Sequence, residues 1–270
     1  MLLLLLVLPM VKRRVYEIFL ITHLACAFSA LCMTWRHIQP ERKARSYVLV
    51  CLGTFVATGV LQLLRILFRN IVFRGSTMRM SIQLHAEDMV CAKLRLPRPW
   101  AVRAGERVTL GVPFVGLFYL LQAHPFSISW WETNYSGKTD TIYLLFHART
   151  GFTQKVWRCL EPACKYWAWI NGPFGPAPVH QCGTTQDMGD YGHILMVTTG
   201  IGIAAQLPYI KELVQMRREA GVRTQRICLV WQLDWTGDYE CTRDWLQHLV
   251  KQDNGYVSGQ FAFCFCFSMD

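Results

Sequence analysis

"HILMVTTGIGIAAQLPYIKELVQMRRE", His193 to Glu219, changes its periodicity at one point. As far as Thr199 it is a short, apolar, partly β-branched run, the composition of a buried parallel strand. From Ile203 onward apolar residues recur every three or four positions, as on one face of a helix. Between the two stands Gly200-Ile201-Gly202. Small residues there let a backbone approach a pyrophosphate, and a helix N-terminus favours negative charge. A lone G-x-G also suits any tight turn; its place between strand and helix is what favours nucleotide binding. "RICLVWQLD" follows as a second strand and "CTRDWLQHLVKQ" as a second helix, which makes a βαβα unit of a doubly wound sheet. Pro208 has no amide to donate, so the first helix is expected to begin near it or bend there.

Before this lobe, from about 80 to 150, the chain reads as short strands: "MSIQLHA", "MVCAKLRL", "ERVTLGVP", "PFSISWW" and "TIYLLFHA". Pro and Gly clusters separate them, as in a small antiparallel barrel. "FTQKVWRCLE" reads as a helix with Thr153 near its start, and "NGPFGPAP" as a turn.

The first third is different. Two apolar segments, about 15 to 37 and 47 to 68, are long enough to span a bilayer, with the polar "QPERKARS" between them. Their outer flanks carry Lys12, Arg13, Arg14, Arg65, Arg69, Arg74 and Arg79, against Arg36, Arg42, Lys43 and Arg45 at the loop. That bias puts the flanks, and everything after residue 70, in the cytosol. His23 and His37 lie fourteen positions apart in the first segment. Fourteen steps fall about 40° short of four turns and rise about 21 Å, so both imidazoles share one helix face at two depths. Ionisable groups at such positions suggest a function, although an interfacial His is often only an anchor; neutral imidazole is a strong iron ligand, and haem suits an apolar setting.

A chain of 270 residues with 52% hydrophobic residues and a net charge of +10 is too apolar for an ordinary soluble enzyme and too charged after residue 80 for a wholly membrane one. The basic residues bracket the apolar segments, and neither a lysine-rich tail nor zinc-finger spacing points to nucleic acid. The eleven cysteines include no C-x-x-C pair and read as reduced, small hydrophobes. "MLLLLLVLPM" lacks the basic start and the cleavage site of a signal peptide and reads as the remnant of a loop or helix.

"HPFS", His124 to Ser127, opens a strand and offers a hydroxyl and backbone amides to a flat heterocycle, but its composition equally suits plain barrel core. "GPFG", Gly172 to Gly175, is most simply a turn. The order of features is more telling: "RRVYEIFLITH" with His37, "LQLLRILFRN", "QAHPFSISWWE", "GFTQKV", "INGPFGP", then "VTTGIGIAAQLPYIKEL". In this order the chain closely resembles the ferric reductase and NADPH oxidase family, especially its fungal ferric-chelate reductases.

The resemblance implies a fold and a function. The fold is a multi-domain membrane protein: a partial transmembrane haem-binding region at 1–75, a six-stranded antiparallel FAD-binding β-barrel at 78–185, and a partial α/β nucleotide lobe, ferredoxin-reductase-like, at 186–270. His23 and His37 become metal ligands, axial to two stacked b-type haems. His124, Pro125, Phe126 and Ser127 become the flavin contact, with Ser127 bonded to the isoalloxazine ring. His147 and Thr153 face the FAD phosphates, Gly172 and Pro173 mark the lobe junction, and Thr199, Gly200, Gly202 and Ile203 form the nicotinamide-nucleotide turn. Electrons pass from NADPH through FAD and the haems to an Fe3+ or Cu2+ chelate across a membrane, expected to be the plasma membrane. A superoxide-producing oxidase and a non-catalytic remnant are the alternatives. Departures from the family's pattern are the missing second histidine pair, which a partner chain or second copy would supply, Thr199 where glycine is common, His147 at a basic position, and two ends that read as cut. Asp234 after the second strand suits an unphosphorylated ribose while Arg217, Arg218, Arg223 and Arg226 lie near in sequence, so NADPH rests on the resemblance.

Overall fold

The computed structural model describes residues 16–38, 42–71, 77–85, 88–116, 124–149, 151–162, 164–175, 188–219, 222–234, 236–252 and 261–267. The "MLLLLLVLPM" run and much of the proline-rich stretch after Gly175 lie outside them. The chain divides into two compact units, Met1–Leu64 and Arg65–Asp270.

Both expected membrane segments are helical: α1 covers Tyr16–His37 and α2 covers Arg42–Asn70. α2 is longer than expected at both ends, because the basic "RKARS" continues the helix instead of forming the loop. Among the described residues α2 alone, over Arg45–Asn70, is long and apolar enough to cross a membrane. Leu49, Phe55, Leu61 and Leu64 are all exposed around it, so the helix is apolar on every side. The Arg45 guanidinium sits 5.8 Å from the Trp35 ring centroid.

Among the described residues the second unit carries eight strands before its α/β part, where six were expected: β1 Arg79–His85, β2 Met89–Trp100, β3 Arg107–Gly111, β4 His124–Ser127, β5 Trp130–Thr133, β6 Thr139–His147, β7 Tyr166–Trp167 and β8 Trp169–Phe174. They form two antiparallel sheets, ordered β5-β6-β2-β1-β7 and β4-β3-β8. "PFSISWW" is two strands, not one. The Ile128 amide donates to the Glu106 carbonyl and the Ser129 amide to the Tyr143 carbonyl, so the chain leaves one sheet and enters the other between them. α3, Phe152–Cys159, follows β6 as expected. "GPFG" is not a simple turn: Gly172 and Pro173 lie in β8, the edge of its sheet, where a missing amide leaves no ladder bond broken. Gly172 has φ +134° and the β3–β8 register shifts beside it, so the glycine takes up an irregularity that other side chains resist.

The α/β lobe is β9 His193–Thr199, α4 Ile203–Arg218, β10 Arg226–Leu233, α5 Thr236–Gln252 and β11 Phe261–Phe267, with a parallel sheet ordered β11-β10-β9. α4 starts five residues before Pro208 and carries it internally. β9 is buried on one face only: Met196 is covered, whereas Leu195 and Val197 stand 66% and 63% exposed.

Two cores explain the packing. One lies between the antiparallel sheets, with Val90, Ala92 and Leu94 from β2 and Ile142, Leu144 and Phe146 from β6. The other joins the lobes: Met89 and Cys91 of β2, Tyr143 and Leu145 of β6 and Trp130 of β5 meet Ile203, Leu207, Ile210 and Val214 of α4. β2 and β6 are therefore buried on both faces, which is why "MVCAKLRL" and "TIYLLFHA" show so little polar alternation.

Candidate functional site

The glycine turn has a physical requirement at each end. Gly200 has φ +45°, and a Cβ there would run into the Asp234 carboxylate at the end of β10; a Cβ on Gly202 would run into the Thr198 hydroxyl. The buried Trp231 indole donates to the Gly200 carbonyl at 2.9 Å and pins the turn to β10. Thr199 ends β9, and Ile203 opens α4 with its side chain fully buried. The turn lies at the carboxyl ends of β9 and β10, where open α/β sheets bind ligands.

β4 places the "HPFS" residues by alternation. His124 and Phe126 pack inward: the His124 ring stacks on Phe152 at 4.1 Å, and the Phe126 ring lies 4.7 Å from that of Phe146. Pro125 and Ser127 are exposed. Ser127 shares a cleft of about 390 Å³ with Gly105, Arg107, Ile128, Ala205, Pro208 and Tyr209. The strand thus faces the first turns of the helix that follows the glycine turn, and Pro208 is part of the wall. Arg107 is a residue the sequence reading missed: in β3 its backbone pairs Ser127 on one side and Phe174 on the other. Its signal, one arginine in "ERVTLG", is indistinguishable from an exposed strand residue.

Thr153 is in the first turn of α3, where its hydroxyl accepts the Arg149 amide at 3.2 Å. The His124–Phe152 stack brings that turn beside β4. Gly172 and Pro173 adjoin the same sheet through β3. His147, at the end of β6, lies 3.7 Å from Asp238 in the first turn of α5, just after Asp234, and so comes to the nucleotide side. An exposed hydroxyl-bearing strand beside a helix start fits a flavin, with the glycine turn opposite for a dinucleotide.

His23 and His37 are both exposed on α1. They can give one imidazole at each of two heights, half of what two bis-histidine haems require. No group of three or more His, Cys, Asp or Glu suited to a metal ion occurs among the described residues.

Sequence reading also missed the lobe interface. Lys211 of α4 is buried, donates its amine to the Trp131 carbonyl, and lies 4.0 Å and 4.4 Å from the Trp130 and Trp131 ring centroids. Burial pushes its pKa down to about 7. Glu212, next along, accepts the Ala104 amide at 2.6 Å. Trp130 stacks on Trp245 of α5 at 5.7 Å beside a cleft of about 960 Å³. Burial lifts the Tyr143 hydroxyl above its ordinary range, with its hydrogen bond to Glu132 acting in the same direction.

Residues 191–264 match the family model for the ferric reductase NAD binding domain. The chain is 22% identical over 272 residues to "Ferric reductase transmembrane component 1" of Schizosaccharomyces pombe, covering 83% of this chain and 43% of that one. It is 24% identical over 251 residues to "Ferric/cupric reductase transmembrane component 7" of Saccharomyces cerevisiae, covering 87% and 36%. It spans less than half the length of these curated relatives. Among solved structures it is similar to an Amycolatopsis cytochrome P450 reductase, with a TM-score of 0.47 and 19% identity over 71% of this chain and 52% of that one. A ferredoxin-NADP+ reductase from Plasmodium falciparum is similar with a TM-score of 0.45 and 12% identity, covering 71% and 70%. Over residues 191–264 the chain is thus similar to the ferric reductase NAD binding domain, and over most of its length to the ferric/cupric reductase transmembrane components of yeasts.

Proposed function

We propose that this chain is the flavin and nucleotide arm, with part of the membrane domain, of a transmembrane ferric/cupric-chelate reductase that passes electrons from cytosolic NADPH through FAD and two b-type haems to a metal chelate on the far side. The observation that supports this reading is the cleft that Ser127 of β4 shares with Ala205, Pro208 and Tyr209 of α4, the helix that follows the Gly200–Gly202 turn. When bound, FAD supplies the conversion of hydride to single electrons, and haem b the relay to the acceptor.

The chain's own residues hold and orient. The Ser127 hydroxyl and the β4 backbone offer hydrogen bonds to a flat ring, while Pro125 covers its face. The α3 N-terminus with Thr153 stabilises phosphate charge. The Gly200 to Gly202 backbone receives the dinucleotide pyrophosphate, and Gly172 and Pro173 keep the β-sheet edge in place beside it. His23 and His37 would each give one imidazole to a haem, the second coming from a partner chain or a second copy. In this reading the protein is multi-pass, with both lobes cytosolic and the plasma membrane as its site. Asp234 supports a second donor: an acid at the end of the second strand suits a free ribose hydroxyl, and hence NADH.

The test uses membranes that express the chain, loaded with FAD and haem. Nucleotide-dependent bleaching of flavin absorbance, lost in Ser127→Ala with Gly200→Ala, is expected, together with a reduced b-type haem spectrum lost in His23→Ala or His37→Ala. Flavin that binds but is not reduced by either nucleotide refutes the donor side. Dye reduction abolished by superoxide dismutase makes dioxygen the acceptor, and absence of both flavin and haem makes the chain non-catalytic.

A further inference from the structure

The last turn of α2 and the far end of β2 interleave. The Arg98 guanidinium lies 3.5 Å from the Phe68 ring centroid, and the Arg69 guanidinium lies 4.3 Å from the Trp100 ring centroid. Each element thus lends a cation to an aromatic ring of the other. Arg65 stands one turn before Arg69 on the same helix. A guanidinium laid flat on a ring has that face shielded and keeps its N–H edge free for planar, two-point recognition of an oxyanion. Phe68, 65% exposed, Leu67 and Ile71 carry the apolar surface of α2 up to the same level. Tryptophan, arginine and exposed aliphatics at the end of an apolar helix make up the side-chain set of a membrane–water interface. Glu106 lies on the Trp100 side, and burial raises its carboxyl above its ordinary range.

We propose that Arg98 and Arg69, held by Phe68 and Trp100, form with the neighbouring Arg65 a seat for the phosphate of anionic phospholipid, and that the β-lobe rests on the membrane surface through this seat. The inference rests on the reading that α2 crosses the membrane. Lipid is the occupant because the three cations sit where the apolar helix ends, at headgroup depth, and carry the sign opposite to an anionic leaflet.

The test is photocrosslinking of the full chain in phosphatidylcholine nanodiscs that contain a minor fraction of phosphatidylglycerol. A benzophenone amino acid replaces Pro99, which is exposed beside the seat, or Leu61 on the apolar face of α2. Lipid adducts are expected at both positions, with phosphatidylglycerol enriched at 99 relative to 61. Arg98→Ala and Arg69→Ala each lower that enrichment about fivefold, and Arg98→Lys, which keeps the charge but loses the planar fork, lowers it by a smaller factor. Retained adducts at 61 show that a variant is still folded and inserted. Adducts at 61 but not at 99 overturn the seat and leave the spanning helix standing. Adducts at 99 without phosphatidylglycerol enrichment, or an enrichment indifferent to both arginines, overturn the phosphate recognition. No lipid adduct at 61 refutes the spanning helix, and the seat falls with it.

Discussion

Asn70 ends α2, is 2% exposed, and satisfies three backbone groups with one carboxamide. Its Nδ2 donates to the Ile66 carbonyl at 2.8 Å and to the Ile170 carbonyl at 2.7 Å, while its Oδ1 accepts the Ile170 amide at 2.8 Å. It thereby stands in for a missing neighbour strand beside β8. Asn70→Ala removes all three bonds and leaves the amide and carbonyl of Ile170, a residue 1% exposed, without these partners. At about 1 to 3 kcal/mol for a buried group left unpaired, partly relieved by relaxation, the loss is about 3 kcal/mol. For a unit of this size that is a fall in Tm of roughly 6 to 12 °C. Asn70→Asp keeps the acceptor but turns a carboxylate oxygen toward two carbonyls, so it should be at least as damaging at neutral pH and partly relieved on acidification. Thermal unfolding of the detergent-solubilised full chain gives the magnitude, and hydrogen exchange over Trp169–Phe174 gives the location. An Ala variant within about 2 °C of the parent, less than the shift expected for 1 kcal/mol, with unchanged exchange at Ile170, refutes the clasp.

Gly200→Ala puts a Cβ at φ +45° and against Asp234, so nicotinamide-nucleotide affinity should fall at least about tenfold by fluorescence titration with the fold kept; equal affinity sinks the assignment of the turn. Lys211 gives up its proton at about pH 7 in the folded chain, against an ordinary value of 10.5, so the unfolded chain holds the extra proton between these limits. Stability should therefore rise with pH across that window by up to about 1.4 kcal/mol per unit, and Lys211→Met should flatten the slope; a parent whose stability falls over the same range contradicts the burial argument. Burial pushes the Cys91 and Cys241 thiols up to about 12, so iodoacetamide at neutral pH should spare both while modifying the exposed Cys159 and Cys164; prompt labelling of Cys91 in the folded chain would count against its place in the core.

The strand, glycine turn and helix around Gly200 were legible because each uses local chemistry: a run of apolar residues, a backbone that needs glycine, and a helical repeat. The two apolar segments of the first third were legible as helices for the same reason. What escaped depends on distant partners. Trp169–Phe174 contains a glycine and a proline and looks like a turn until β3 pairs with it. "PFSISWW" looks like one strand because nothing local marks the step at Ile128 and Ser129 from one sheet to the other. Lys211 looks like a solvent-facing helix residue, yet it is enclosed by Trp130 and Trp131. Phe261–Phe267 alternates aromatic residues with Ala and Cys, and became a third parallel strand only through its pairing with β10. At the site, Ser127 and the glycine turn were each visible, but Arg107 and Trp231 matter through what lies across from them.

Because β2 and β6 serve as a party wall between two hydrophobic interiors, the chain cannot be divided where its sequence changes character. A protein engineer who cut after residue 185 to obtain the β-lobe alone would expose Met89, Cys91, Trp130, Tyr143 and Leu145 together. Such a fragment should aggregate, and keeping it soluble would mean recoating that wall with polar side chains.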